Sequence, residues 1–535
     1  MFRAIARNEI LNVRALQTNV AYLSSSRYIP RRTFFAKAGA VVLGLAVLIP
    51  AVRMARFKYA LKRELEFPKQ TPQTHTFPNG SPKKTIVILG TGWGSIALLK
   101  SLDTSLYNVI VVSPRDYYLF TPLLTSTPVG KVSDSSIVES VRSIARRTPG
   151  EVTYYEAEAL EVNPRDKTVR ARYTTNGNDG GDGAEFGIKY DYLVVGVGTE
   201  PSTFNVPGVS ENASFLKEMW DAQSVRDKIR SAISRAAQLP KGDPERQRLL
   251  KFVTVGGGPT GTEFVAELRD YIDQDLAMKH PEIANEIQMT LVESKPHILS
   301  MFGPKQVEYA ERQLRDTNID LQLGTRVNSV TPTELTANCD GEELRIPYGV
   351  LVWTAGTQQR ELTRQLKADL EKNRDETVDG EHTSRTRGLR VNERLQLIGA
   401  EDSIYAIGDC AYREGLPQLG NVARQEGEYL AKPFRLLHEA EQLKWENPDS
   451  KRADEILNGI GNFKYHHRGL LAYLGQNKAI AYIAGKGPRG LTLNGRLGFR
   501  IWKRAHLGMT YSPEQLAMIK DDWERTEKSG RSLDL

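Results

Sequence analysis

Only two cysteines, Cys339 and Cys410, occur in 535 residues. Two thiols cannot supply a disulfide framework or a four-thiolate metal site, and they leave the redox compartment open. Long apolar runs are scarce as well. The most extended uncharged one, "AGAVVLGLAVLIPAV" from Ala38 to Val52, has fifteen residues, short of the ~20 that span a bilayer comfortably. A basic stripe interleaved with aromatics is missing, and so are nucleic-acid-binding motifs. The net charge of +7 therefore does not indicate a nucleic-acid partner. His466 and His467 have no carboxylate or cysteine at ligand spacing, so no metal site is expected.

Much of the positive charge is local. Arg3, Arg7, Arg14, Arg27, Arg31 and Arg32 face a single acid, Glu9, before residue 33, with serines at 24 to 26. That is the composition of a mitochondrial targeting segment, expected over 1–33; a merely basic tail is the alternative. Phe34, Phe35 and the stem of Lys37 lengthen the apolar run, so 34–56 is expected to be a transmembrane anchor rather than a signal core. Basic residues flank it on both sides and fix no orientation. Pro68, Pro72, Pro78 and Pro82 mark 57–84 as a linker.

Folding is expected to begin at "TIVILGTGWGSIALLK". A β-branched strand runs into Gly90 and Gly92 and then a helix, the pattern of a turn that lays backbone N–H groups and a helix N-terminus against a pyrophosphate. The third fingerprint position holds Ser95, still small enough for close helix packing. The next strand, "YNVIVVS", ends in Ser113, followed by Pro114 and Arg115. A carboxylate that would read the ribose of NAD is absent there.

The pattern recurs in full in "FVTVGGGPTGTEFVAEL", with Gly256, Gly258 and Gly261, and the strand "IQMTLVES" ends in Glu293, placed to accept both ribose hydroxyls of NADH and to repel a 2′-phosphate. Two fingerprints of different character suggest one retained and one exchanged dinucleotide. "DSIYAIGDCA" ends in Gly408-Asp409, a pattern in which the aspartate bonds the ribityl and pyrophosphate region of FAD. "YDYLVVGVGTEP" and "GVLVWTAGT", the latter containing Gly356, have the glycine-rich ends of inter-domain links. The expected fold is α/β, with two Rossmann-like dinucleotide-binding domains and the NADH domain inserted in the FAD domain. The expected units are an opening FAD segment (85–220), the NADH domain (221–365), a polar insertion (366–387), a returning FAD segment (388–462) and a C-terminal region (463–535).

These stretches, with "VSPRDYYLFTPLL", "NVARQEGEYLA", "FKYHHRGLLAYLG" and "DDWERTEKSGRSLDL", resemble the type II NADH:quinone oxidoreductases, the single-subunit alternative NADH dehydrogenases. The resemblance implies flavin contacts at Gly90, Gly92, Trp93, Gly94, Ser113, Pro114, Arg115, Thr121, Gly408 and Asp409. It implies NADH contacts at Gly256, Gly257, Gly258, Pro259, Thr260, Gly261, Glu293 and Gly356. The implied chemistry is hydride transfer from NADH to non-covalent FAD and two-electron reduction of ubiquinone, without proton pumping. The family's quinone-side pattern A-Q-x-A-x-Q reads here with Asn421, Arg424 and Gln425. Gln425 is thereby a candidate catalytic residue; a glutamine tied to the backbone is the bland reading. Glu263, read at the start of its helix, either stabilises the helix dipole or relays protons to the quinone. A redox cysteine pair is missing after the first turn, which excludes a disulfide reductase.

The stretch "GRLGFRIWKRAHLGMTYSPEQLAMIKDDWERT" alternates apolar residues with Arg496, Arg500, Lys503 and Arg504. The pattern suits an interfacial helix or one packed on the protein's own core; the resemblance favours membrane lipid and a homodimer through this region. "DETVDGEHTSRT" has Thr377 and Thr386 at EF-hand ligand positions and does not support calcium binding. The inner mitochondrial membrane, facing the intermembrane space, is the expected location. A flavoprotein signalling factor of the apoptosis-inducing type is the alternative.

Overall fold

Strand β1 (Thr85–Leu89) is buried along nearly its whole length, with Ile86 to Leu89 fully inaccessible, as expected of a parallel strand covered on both faces. The computed structural model describes residues 67–174, 183–372, 388–485 and 490–531; the targeting segment, the anchor and the loop 375–386 lie outside them. After β1 come helix α1 (Trp93–Ser101), β2 (Asn108–Ser113), β3 (Val152–Asn163), β4 (Thr168–Tyr173), β5 (Glu185–Lys189) and β6 (Tyr192–Val195).

The chain then builds a second sheet from β7 (Ser214–Phe215), β8 (Lys251–Val255), β9 (Gln288–Val292), β10 (Ile319–Gln322) and β11 (Val350–Trp353), with α2 (Met219–Ala237) and α3 (Pro259–Tyr271) between them. Its order is β7-β11-β8-β9-β10, all parallel. The outgoing segment Thr199–Pro201 and the returning Thr357–Gln359 pair antiparallel. Helix α4 (Glu361–Lys372) follows, and β12 (Ile404–Ala406) rejoins the first sheet beside β6. That sheet has the order β12-β6-β1-β2-β3-β4-β5.

Helix α5 (Gly420–Glu446) crosses α1 at a contact only glycine permits, since a Cβ on Gly427 would lie 2.1 Å from the Gly94 carbonyl oxygen. The C-terminal region forms an antiparallel sheet of β13 (Gly469–Tyr473), β14 (Ala479–Ile483) and β15 (Leu491–Asn494), then helices α6 (Gly495–Met509) and α7 (Pro513–Ser529).

Three expected boundaries shift, and the C-terminal helix packs inward. Residues 70–84 are docked rather than a linker: the Gln70 amide donates to the carbonyls of Ala145, Thr148 and Gly150 at 2.8, 3.0 and 3.1 Å, and Ser81 and Lys83 are buried. Proline fixes an extended path, and neighbouring side chains supply the missing donors. The second sheet begins at Ser214, and the 220/221 division falls inside α2, whose start is closed by Asp221 accepting from the backbone N–H groups of Lys217 and Glu218. A two-residue strand carries too little alternation to be read from sequence. Residues 366–372 continue α4, with Leu366 buried. Finally, α6 buries Gly498, Trp502 and His506, spaced by four, against the protein's own core while Arg496, Leu497, Arg500 and Arg504 face outward; among the described residues no helix is long and apolar enough to cross a membrane.

Candidate functional site

Gly90 closes the first turn with φ +91°, and its N–H donates to the Val112 carbonyl at 2.8 Å. Gly92 is the N-cap of α1, so the first-turn N–H groups and the positive dipole end face the space beyond. That space is a cavity of ≈ 700 Å³ lined by all ten positions expected to contact flavin, from Gly90 through Thr121 to Gly408 and Asp409. Its floor is left open by glycine: a Cβ on Gly198 would meet nothing within 4 Å, and one on Gly92 only the Gly196 oxygen at 4.0 Å. Trp93 is fixed by its Nε1–H, which donates to Thr121 Oγ1 at 3.0 Å. Ser113 braces the turn, its Oγ lying 3.0 Å from Thr91 Oγ1 and accepting from the Arg115 N–H at 3.2 Å.

Five cations, Arg115, Arg170, Arg172, Lys217 and Arg360, share this lining with five carboxylates. Arg115 pairs with Glu218, Arg360 donates to the Val197 carbonyl at 2.9 Å, and Lys217 donates to Thr199 Oγ1 at 3.1 Å. Burial holds the Lys217 ammonium below the usual lysine range. Lys217, Glu218 and Arg360 were not found from sequence, because their approach depends on the pairing of the two connecting segments. The size, the glycine turn and the helix terminus fit FAD.

In the second turn Gly256 has φ +112°. The third glycine is required by contact: a Cβ on Gly261 would lie 1.9 Å from the Gly256 oxygen. Gly258 is the N-cap of α3, Pro259 occupies its first position and Thr260 reaches the cavity. Glu293 stands beside this turn, its Oε2 accepting from the Gly257 N–H at 2.6 Å and its Oε1 from the Lys295 N–H at 2.8 Å. Gly356, expected with this group, lines the first cavity and carries the Phe204 ring, which a Cβ would approach to 2.2 Å. Glu293→Gln keeps an acceptor for Gly257 and removes the charge. It is expected to lower the NADH-over-NADPH preference in kcat/KM by about tenfold; an unchanged ratio would remove Glu293 from the site.

The quinone-side residues are placed differently from the expectation. Both ends of the Gln425 amide engage one backbone unit: Nε2 donates to the His466 carbonyl at 3.1 Å and Oε1 accepts from the His466 N–H at 3.0 Å. That leaves Gln425 holding the 463–468 segment rather than presenting an amide to a ligand. Arg424 bonds Glu428 at 2.9 Å and the Met509 carbonyl at 2.9 Å, and its guanidinium lies over the Tyr511 ring. Asn421 shares a hydrogen bond with Tyr465. None of the three lines the cavity.

Glu263 lies in the second turn of α3, which has no acid in its first turn, so the dipole reading does not apply. It is buried under the C-terminal region. Its Oε1 accepts from the Tyr473 N–H at 2.9 Å and from Trp502 Nε1–H at 3.2 Å, and burial pushes its pKa up to about 7. Glu426 was missed. Its Oε2 accepts from the Gly408 N–H at 2.6 Å, and burial raises its pKa to about 7, assisted by the nearby Asp409 charge. The only sequence signal was an acid beside Gln425.

Cys410 is fully buried, its thiol against the Val195 and Ile407 carbonyls, and burial pushes it up to about 12. Cys339 contacts Leu323 instead. A thiol held neutral cannot act as a nucleophile. Cys410→Ala is therefore expected to leave the NADH oxidation rate within about twofold of the parent; a loss of more than tenfold would restore a thiol mechanism.

Residues 84–427 match the pyridine nucleotide-disulphide oxidoreductase family, the class to which the two glycine turns, each at the end of a parallel strand, point. The chain is 46% identical over 484 residues to the external NADH-ubiquinone oxidoreductase 2, mitochondrial, of Saccharomyces cerevisiae, covering 88% of this chain and 86% of that protein. It is 37% identical over 486 residues to the external alternative NADH-ubiquinone oxidoreductase, mitochondrial, of Yarrowia lipolytica, covering 85% and 81%. The chain belongs to the type II NADH-ubiquinone oxidoreductases. A solved NDH2 from Plasmodium falciparum in complex with NADH superposes with TM-score 0.74 at 24% identity, over 85% of this chain and all of that one, and shares the fold.

Proposed function

We propose that this chain oxidises NADH and reduces ubiquinone through FAD held in the ≈ 700 Å³ cavity. One observation carries the reading: the cavity that contains the whole first turn also reaches Thr260, at the start of the helix behind the second turn. A donor held by Gly256, Gly258, Gly261 and Glu293 thus lies against the first site. Bound FAD supplies the hydride acceptor and the outlet for two electrons. The protein orients the nicotinamide and excludes water.

Ubiquinone reduction takes up two protons and NADH oxidation releases one. Glu263, with a pKa of about 7, is suited to hold the second and release it at working pH. The FAD unit comprises 85–213, 361–372 and 388–462, with the NADH unit of 214–360 inserted. The 463–535 region contributes the lipid-facing surface and the homodimer contact. The outward Arg496, Leu497, Arg500 and Arg504 support lipid contact, and 34–56 supplies the anchor.

The relatives are named external and mitochondrial, which supports the intermembrane-space face of the inner membrane. Protease protection of intact mitochondria tests this orientation; a protected catalytic unit would overturn it. No observation favours the signalling alternative. Steady-state assay should give NADH oxidation that depends on added short-chain ubiquinone. A rate indifferent to quinone would contradict the proposal.

A further inference from the structure

The face of α3 that carries Glu263 continues with Glu267 and Asp270, one and two turns on. The helix then widens into a π-turn over Ile272–Leu276, and this brings Asp275 inward, where it is buried. Such a turn commonly marks a functional position. Four carboxylates therefore share one buried region, and two cations meet them there. Lys131 Nζ is 2.7 and 3.0 Å from the two Glu267 oxygens and 4.2 Å from the Tyr473 ring centroid.

The other cation is Arg531, delivered after α7, with its side chain only 2% exposed. Its guanidinium lies 3.2 Å from Asp275, 3.5 Å from Glu267 and 3.8 Å from Asp270. Its backbone N–H also donates to Asp275 at 2.7 Å. The approach is built: Gly530 has φ +79°, and a Cβ there would lie 2.6 Å from Asp275 Oδ1.

We propose that Arg531 is a positioning residue for the proton-holding site, its guanidinium gathering Glu267, Asp270 and Asp275 around one positive charge beside Glu263 so that Glu263 remains the member of the cluster that exchanges a proton. The inference rests on the proton-holding reading of Glu263. The groups around Glu263 agree. Glu267 and Asp270 lie on its own helix, Lys131 comes from the segment after Thr121–Ser126, and Tyr473 comes from β13, its hydroxyl donating to Asp270 at 2.6 Å. From α6, Trp502 donates to Glu263, and the fully enclosed His506, driven down to about 4 by burial, adds no positive charge near neutrality. Lys131 thus meets Glu267, and Arg531 meets Glu267, Asp270 and Asp275. Without Arg531, Asp270 and Asp275 would lose their guanidinium partner and Glu267 would keep only the Lys131 ammonium. Carboxylates crowded without compensation take up protons, and an unscreened neighbour makes Glu263 harder to ionise.

A purely structural clasp would order the tail and leave the Glu263 titration unmoved. Infrared titration of the protonated carboxyl band in the flavin-loaded protein, with the Glu263→Gln spectrum subtracted, separates the two. Arg531→Gln should raise the Glu263 midpoint by about one pH unit, and Arg531→Lys should restore most of the shift. Asp275→Asn, which frees part of the Arg531 charge, should move the midpoint down. This opposite sign keeps the test decisive if Arg531→Gln folds poorly. A midpoint unmoved in both Arg531→Gln and Asp275→Asn overturns the inference. The proton role is read separately, from flavin reoxidation by short-chain ubiquinone in Glu263→Gln. If that rate keeps its pH profile while the infrared midpoint still responds to Arg531, the electrostatic coupling stands and the proton role falls.

Discussion

Gly90→Ala is expected to give a nearly colourless protein, with flavin occupancy below about a tenth of the parent's. Two costs combine. A residue with a Cβ is strained at φ +91°, and the new carbon would lie 2.5 Å from the Gly196 oxygen and 3.2 Å from the Val197 Cα. Both are backbone atoms following β6, so relief requires the first sheet to separate where the pyrophosphate would lie. Gly92→Ala is the informative partner. Gly92 has an ordinary φ of −78°, and its Cβ would point into open cavity. That variant should keep the flavin-free protein's stability and lose flavin; Gly90→Ala should lose both. Absorbance per protein and denaturant unfolding read the two quantities. Full occupancy in both variants would place the flavin elsewhere.

Glu263→Gln carries the second large effect, on pH dependence. The carboxyl moves from an ordinary 4.5 to about 7 on folding, chiefly through burial. The folded protein therefore binds the proton more tightly than the unfolded chain does. Its stabilising contribution is complete below about pH 4.5 and is lost as pH rises through about 7. The shift corresponds to roughly 3 kcal/mol across that window. Glu426 moves the same way for the same reason, and the depressed His506 acts in the opposite sense, so Glu263→Gln should make the change of unfolding free energy between pH 5 and 8 less negative by up to about 3 kcal/mol. In the same variant, reoxidation of reduced flavin by ubiquinone should slow by about 10²-fold, the scale of a lost positioned acid, while reduction by NADH is unaffected. An unaltered stability slope would mean Glu263 is ionised in the folded protein.

Both glycine turns were legible in the sequence because a left-handed residue and a close backbone approach admit only glycine, and the spacing repeats that demand. Asp409 was legible for a related reason, standing directly after a glycine at a strand end. Lys217, Glu218 and Arg360 in the charged lining were not. Arg115 meets Glu218 across 103 positions, and Lys217 enters the cavity only because the short β7 and the pair Thr199–Pro201 with Thr357–Gln359 bring that segment back. Gln425 shows the converse. The motif identified the residue, but its amide is engaged with the His466 backbone, a contact between distant segments that local pattern does not encode. The acidic face of α3 was visible as spacing; its cation Arg531 comes from 256 positions beyond Asp275.

Electrons are expected to pass from NADH to a flavin in this cavity and on to ubiquinone. The most direct measurement is an anaerobic flavin cycle on the purified holoprotein. Stoichiometric NADH should bleach the flavin absorbance, and short-chain ubiquinone added afterwards should restore it in a single fast phase. Bleaching by NADH with no recovery on addition of any quinone would rule out this electron path.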